Sequence, residues 1–154
     1  MDIFELASML SLPKYEIEVG VVSANTTRKE SVKIGMTNAE ILFVNENGSP
    51  INHVPARPVL DMTIRWVNDS GLLDRTLEKC IKIWLESGKE DMVDKEINKM
   101  CLKIQNYARN IIYSNDGRLT PNAPSTIRKK GDNHPLFDTG QLARSITCRA
   151  RRII

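Results

Sequence analysis

Apolar and polar positions along the chain alternate between short periodic runs at the ends and long helical runs in the middle. Residues 1–12 (MDIFELASMLSL) place Ile3, Phe4, Leu6, Ala7, Met9 and Leu10 at the spacing of a short, lightly packed helix, and Pro13 ends it. Residues 15–22 (YEIEVGVV) alternate through their first half, the period of a half-buried strand. After a polar stretch at 23–31, Val32-Lys33-Ile34 reads as a second short strand. Thr37 then opens a helix: Thr37 or Asn38 offers a cap, Glu40 completes a capping box, and Ile41, Leu42 and Val44 form the apolar face. Gly48 stands where a left-handed C-terminal cap belongs. The three prolines of 49–58 (SPINHVPARP) predict an ordered extended loop, with Pro58 as the first residue of the next helix.

The strongest periodicity follows. Leu60, Ile64 and Val67 recur at helical spacing, and after Asn68-Asp69-Ser70-Gly71 the pattern resumes as Leu73, Leu77, Cys80, Ile81 and Trp84. Residues 58–87 therefore read as one helix or as two joined at Gly71. From 90 to 113, Val93, Ile97, Met100, Cys101, Ile104, Ala108, Ile111 and Ile112 make one unbroken stripe, with Glu90, Asp91 and Asp94 at its start and Lys103 and Arg109 toward its end, as the helix dipole favours. Ser114-Asn115-Asp116-Gly117 is a turn. Residues 123–130 suit a short helix between Pro124 and Gly131; Asp138 is placed to cap another, with Gln141 completing its capping box and Leu142 and Ile146 inward. Residues 146–153 alternate loosely and are expected to pair with 15–22. The sum is a single α+β domain over residues 1–154, a small antiparallel sheet from the N- and C-terminal strands packed against two or three long helices.

Composition narrows the class. At 154 residues the chain is one domain in size, and 41% hydrophobic with 27% charged residues excludes a disordered chain. No apolar run approaches the roughly 18 residues of a membrane span, and Asp2 and Glu5 replace the basic start of a secretory leader, so neither a membrane protein nor a secreted one is expected. Cys80, Cys101 and Cys148 lie far apart without a CxxC, which suggests neither a disulfide framework nor a zinc ribbon; Cys80 and Cys101 fall on apolar helical stripes and read as buried thiols, in keeping with a reducing cytoplasm. The net charge of +3 hides an asymmetry: residues 1–116 hold 14 Lys/Arg against 17 Asp/Glu, residues 117–154 hold 8 against 2. Such a basic pole suits a polyanionic neighbour, either nucleic acid or an acidic protein surface, or else a solvated terminus.

Local chemistry is sparse. The two histidines, His53 and His134, sit beside proline-rich turns with no nucleophile elbow nearby, and there is no glycine-rich phosphate cradle. Asp132, His134 and Asp138 form only a loose loop group. Leu136-Phe137-Asp138-Thr139-Gly140 resembles the active-site loop of retroviral-type aspartic proteases, in which two such aspartates share a proton. Gln141 follows where those proteases place a small residue, and fourteen residues remain for a β-rich body, so a helix cap accounts for the loop better. No enzymatic activity, cofactor or metal is expected.

Two stretches carry a more specific likeness. Asn38-Ala39-Glu40-Ile41, Glu46-Asn47-Gly48-Ser49 and Val54-Pro55-Ala56-Arg57-Pro58 form the first; Leu119-Thr120-Pro121 through Gly131 and Pro135-Leu136-Phe137-Asp138-Thr139-Gly140 through Ile146 form the second. In this order they resemble the signature blocks of tailed-bacteriophage virion morphogenesis proteins, the neck or tail-completion proteins that join head to tail. The resemblance implies a structural virion protein made in the bacterial cytoplasm. It would be a homo-oligomeric ring between portal or head-completion proteins and tail-terminator or tail-tube proteins, with packaged DNA passing through its channel. The alternative from charge alone is a nucleic-acid-binding module, although aromatic residues are only 5% and Trp66 and Trp84 fall on helices. Candidate interface residues are Arg57, presented on a stiff two-proline loop and suited to a bidentate carboxylate contact, and Arg128, Lys129, Lys130 and Arg144 of the basic tail.

Overall fold

The computed structural model describes residues 2–21 and 35–153; the polar loop at 23–31 and the strand expected at Val32–Ile34 lie outside the described residues. Helix α1 (Ile3–Met9) leads into strand β1 (Lys14–Gly20). Helices α2 (Asn38–Asn47), α3 (Val59–Asp69), α4 (Leu72–Ser87) and α5 (Glu90–Tyr113) follow, then the short α6 (Pro124–Lys130) and α7 (Gln141–Ser145), and strand β2 (Thr147–Ile153). The protein is thus α+β, with one two-stranded antiparallel sheet made by the two ends of the described chain.

Helix α5 is the spine. The eight residues of its stripe are its eight buried residues, and three apolar clusters are strung along it. Val93 and Ile97 pack with Cys80 of α4 near its start, and Met100 and Ile104 with Leu72 in the middle. Ala108, Ile111 and Ile112 pack with Leu42, Val59, Leu142 and Ile146 at its end. The sheet covers another side. β1 pairs with β2 so that Ile17 faces Ala150 and Val19 faces Cys148, and these four pack toward α4 and α5. Glu16 and Glu18, one position out of phase, pair instead with Arg151 and Arg149 on the outer face. That alternation is the period of two seen in the sequence. Trp66 of α3 stacks on Tyr107 of α5, centroids 4.1 Å apart and nearly parallel.

Residues 58–87 are two helices. Ser70 ends α3 in helical geometry, and Gly71 then turns the chain through φ +66° before α4 begins. The buried face of α3 is rotated from the expected stripe, while that of α4 keeps Cys80 and Ile81 but has Leu72 and Thr76 in place of Leu73 and Leu77. Val59 and Thr63 are the buried residues of α3, while Ile64 is 51% exposed; in α4 Leu72, Thr76, Cys80 and Ile81 are buried. The inward threonines are masked in sequence by their polarity. Each returns its hydroxyl proton to the carbonyl four residues back, Thr63 to Val59 O and Thr76 to Leu72 O, both at 2.7 Å, and so meets the core with its methyl.

Two caps differ from expectation. Gly48 has φ +73° but ψ 173°, which is not a left-handed cap: the chain doubles back there so closely that a Cβ would lie 2.9 Å from Ala56 N. Asp138 does not cap α7, and no capping box forms with Gln141. Gly140 occupies the N-cap at φ +75°, and the helix starts at Gln141. The capping box at Thr37 and Glu40 is present, and Gly131 closes α6 in the left-handed conformation.

These faces set a direct contrast. Ile104→Asp, which buries an unpaired carboxylate in the middle cluster, should cost more than about 4 kcal/mol in denaturant unfolding, whereas Ile64→Asp should stay within about 0.5 kcal/mol.

Candidate interface groove

Block one of the resemblance forms α2 and the loop that leaves it; block two forms the segment from Leu119 to α7. They are brought together by Arg57. Its guanidinium, in a side chain whose residue is only 7% exposed, donates Nε–H to Thr120 O (2.8 Å) and Nη2–H to Pro121 O (3.0 Å), with weaker bonds to the side-chain oxygens of Asn45 (3.3 Å) and Asn122 (3.5 Å). Its backbone N–H donates to Asn45 O, and Thr120 returns a hydroxyl bond to Ala56 O (3.3 Å). Burial pushes the guanidinium below its usual pKa, yet it stays charged because that value starts far above neutrality. The bidentate partner expected for Arg57 was a neighbour's carboxylate. The structure turns the side chain inward to two backbone carbonyls of its own chain, and the rigid proline loop aims it there.

Other block residues have equally local work. Glu46 accepts the Leu60 N–H at 3.0 Å and the Asp61 N–H at 2.7 Å, closing the start of α3, where Pro58 offers no cap of its own. Ser49 and Val54 exchange both backbone bonds across the tight loop that Gly48 permits. Lys130 donates Nζ–H to Phe137 O and to His134 O, and Arg144 donates Nη2–H to Thr139 O at 3.0 Å. Arg109 holds Ile146 O and Arg144 O from α5. His134 Nε2 lies 2.6 Å from Ile112 O and so carries the proton in that bond.

Between these pieces runs an open groove of about 770 Å³, walled by Asn45, Arg57, Asn122, Ser125, Lys129 and the loop through Thr139. Asn122 has its oxygen committed to Arg57, which fixes the amide orientation; its buried Nδ2 finds no acceptor among the described residues. Of the five candidate interface residues, Arg57, Lys129 and Lys130 line the groove, while Arg128 and Arg144 are exposed. Arg128 and Lys129 make no ion pair with any described residue.

The rest of the basic tail is consumed internally. Arg149 pairs with Glu18 at 2.9 Å and Arg151 with Glu16 across the sheet; Arg118 pairs with Asp116 at 2.7 Å and lies over the Tyr107 ring. Arg152 joins Glu90 and Asp94 at the start of α5, and Tyr15 donates its hydroxyl to Asp94 Oδ1 at 2.6 Å. The Arg152 bond, more than any other cause, holds the Asp94 carboxyl below its usual range, and burial followed by the Asp94 bond pushes the Tyr15 hydroxyl up. Sequence reasoning missed the partners of Arg149, Arg151 and Arg152 because they come from β1 and α5, more than fifty residues away; only Asp116 lies beside its arginine in the chain.

Among the described residues no group of three or more His, Cys, Asp or Glu is placed to hold a metal, and no helix is long and apolar enough to cross a membrane. Set against protein-family models, curated proteins and solved structures, the chain matches none.

Two measurements test this geometry. Arg57→Lys keeps the charge but loses the fork, leaving buried carbonyls unbonded, and should destabilise by about 2–4 kcal/mol in denaturant melts. Because the folded Asp94 carboxyl titrates below its unfolded value of about 3.9, its contribution is complete above that value and is lost as the pH falls through the folded pKa. Asp94→Asn should therefore lower the melting temperature by a few degrees near neutrality and flatten its fall as the pH drops below about 4.

Proposed function

We propose that this protein is a structural component of a tailed-bacteriophage neck, assembling as a ring that joins head to tail. The observation that carries this reading is the convergence of the two resemblance blocks. Strings separated by about sixty residues of helix are joined through Arg57 and wall one groove. A chance likeness of short strings has no reason to converge in space, whereas a shared tertiary unit does.

Ring closure needs two different patches on each subunit, related by a rotation. The groove side offers Arg128 and Lys129. A complementary patch lies at the joint of α3 and α4, where Asp69, Asp74 and Glu78 are exposed and form no ion pair among the described residues. That joint packs on the middle of α5, the groove beside its C-terminal end, so the two patches are separated along the spine. The competing reading, a nucleic-acid module, draws on the basic tail, and Arg118, Arg149, Arg151 and Arg152 are already paired with carboxylates.

The experiment is a phage carrying Arg128→Glu with Lys129→Glu, leaving the internally bonded Lys130 in place. The purified variant should melt within a few degrees of wild type, since exposed charges contribute only about 0–1 kcal/mol each, while infected cells accumulate separate heads and tails. Normal joining would remove α6 from the contact. A steep fall in DNA affinity with salt for the isolated wild-type protein would favour the nucleic-acid reading instead.

A further inference from the structure

A two-stranded sheet has two edges, and here they differ. On the β2 edge the Cys148 N–H points away from β1 and donates to Gln105 Oε1 of α5 at 3.1 Å. That bond fixes the phase of the ladder. Cys148 lies opposite Val19, so Val19, Ile17 and Tyr15 all turn their N–H and C=O groups away from β2. No described residue bonds to these groups, and all three residues are only half-buried. Beside the same strand is an apolar cavity of about 700 Å³, lined by Tyr15 and Ile17, by Leu73 and Leu77 of α4, and by Ile97 and Met100 of α5. Phe4 of α1 reaches its margin and stays exposed. Among the described residues Lys14 is the one charged member of this lining; it is exposed and forms no ion pair among them.

We propose that the open edge of β1 and this cavity together dock one extended segment of a partner protein, added as a third strand antiparallel to β1. The segment has apolar residues at alternate positions and a carboxylate at its C-terminal end. Each part of that description answers a feature of the site. The free N–H and C=O groups of Tyr15, Ile17 and Val19 supply main-chain bonds to an incoming strand. The period of two then sends every second side chain of the segment toward Leu73, Leu77 and Met100. Antiparallel order brings the segment's C-terminal end to Lys14, the first residue of β1, where an unpaired ammonium complements a carboxylate. A side-chain carboxylate and a chain-end carboxylate both meet that requirement. A volume of this size, with α4 lining it as well as β1, holds a few aliphatic side chains and not a second sheet with its own helices. The site shares no residue with the groove beside α6, so it stands apart from the neck reading.

The test uses the full chain and fluorescein-labelled octapeptides that alternate valine and threonine. One ends in aspartate with an amidated terminus, one in valine with a free terminal carboxylate, and one in amidated asparagine; a fourth repeats the aspartate peptide with alternate backbone nitrogens methylated. Expected is saturable binding of the first two, the tighter of them identifying the source of the carboxylate. The asparagine peptide should bind roughly tenfold more weakly, and the methylated one should not saturate. Hydrogen exchange at the Tyr15, Ile17 and Val19 amides should be fast in the free protein and slow by roughly tenfold or more on binding. Lys14→Glu, at an exposed site, should melt like wild type and bind both carboxylate peptides roughly tenfold more weakly. Saturation by neither carboxylate peptide, undiminished binding of the methylated one, protection confined to the α6 groove, an unchanged affinity in Lys14→Glu, or amides already protected in the free protein would each overturn the proposal.

Discussion

Helix α5 carries an apolar stripe from Val93 to Ile112, about five and a half turns long, and a stripe of that length must be covered along its whole extent. No single partner is long enough. α4 covers the first half, α3 reaches the middle and the C-terminal end, the sheet lies along another side, and α2 with α7 closes the C-terminal end. The order of clusters along one helix dictates where every other element can sit, and it explains why strands from opposite ends of the described chain meet. Each is amphipathic with a period of two and needs the same spine to bury Ile17, Val19, Cys148 and Ala150.

The Arg57 anchor is a second constraint, local and polar. A buried guanidinium has five donors to satisfy, and a segment without secondary structure, Leu119 to Asn122, has carbonyls to satisfy. Each meets the other's need. The residues of the two blocks are thereby explained mostly as folding chemistry: Glu46 closes a helix start, Gly48 permits a close approach, Gly140 starts α7. Subtracting those roles leaves Arg128, Lys129, the Nδ2 of Asn122 and the Oδ1 of Asn38 among the groups whose chemistry the described fold does not use. A binding surface is most economically sought among such residues, because selection for folding does not account for them.

Charge tells a similar story. A tail with a large positive excess looks from its sequence like a pole for polyanions, but four of its arginines sit beside carboxylates of β1, α5 and the 114–117 turn. The field that remains is concentrated around α6, which narrows a thirty-eight-residue tail to one short helix and its groove.

Periodicity by itself determined the helices and both described strands, the complete buried face of α5, the capping box at Thr37 and the left-handed end of α6, since all of these depend on neighbours within a few residues. The faces of α3 and α4 were less legible, because a threonine that bonds its own backbone buries like an apolar residue while reading as polar. Tertiary structure alone decided that Arg57 points inward, that Gly48 serves close approach rather than a cap, and that the helix after Asp138 begins at Gln141 behind an N-cap at Gly140. It alone decided that Arg149, Arg151 and Arg152 meet carboxylates of β1 and α5. The arginine contacts turn on which distant segment supplies the acceptor or the carboxylate, and that is fixed by how elements pack on α5, not by the spacing of residues along the chain.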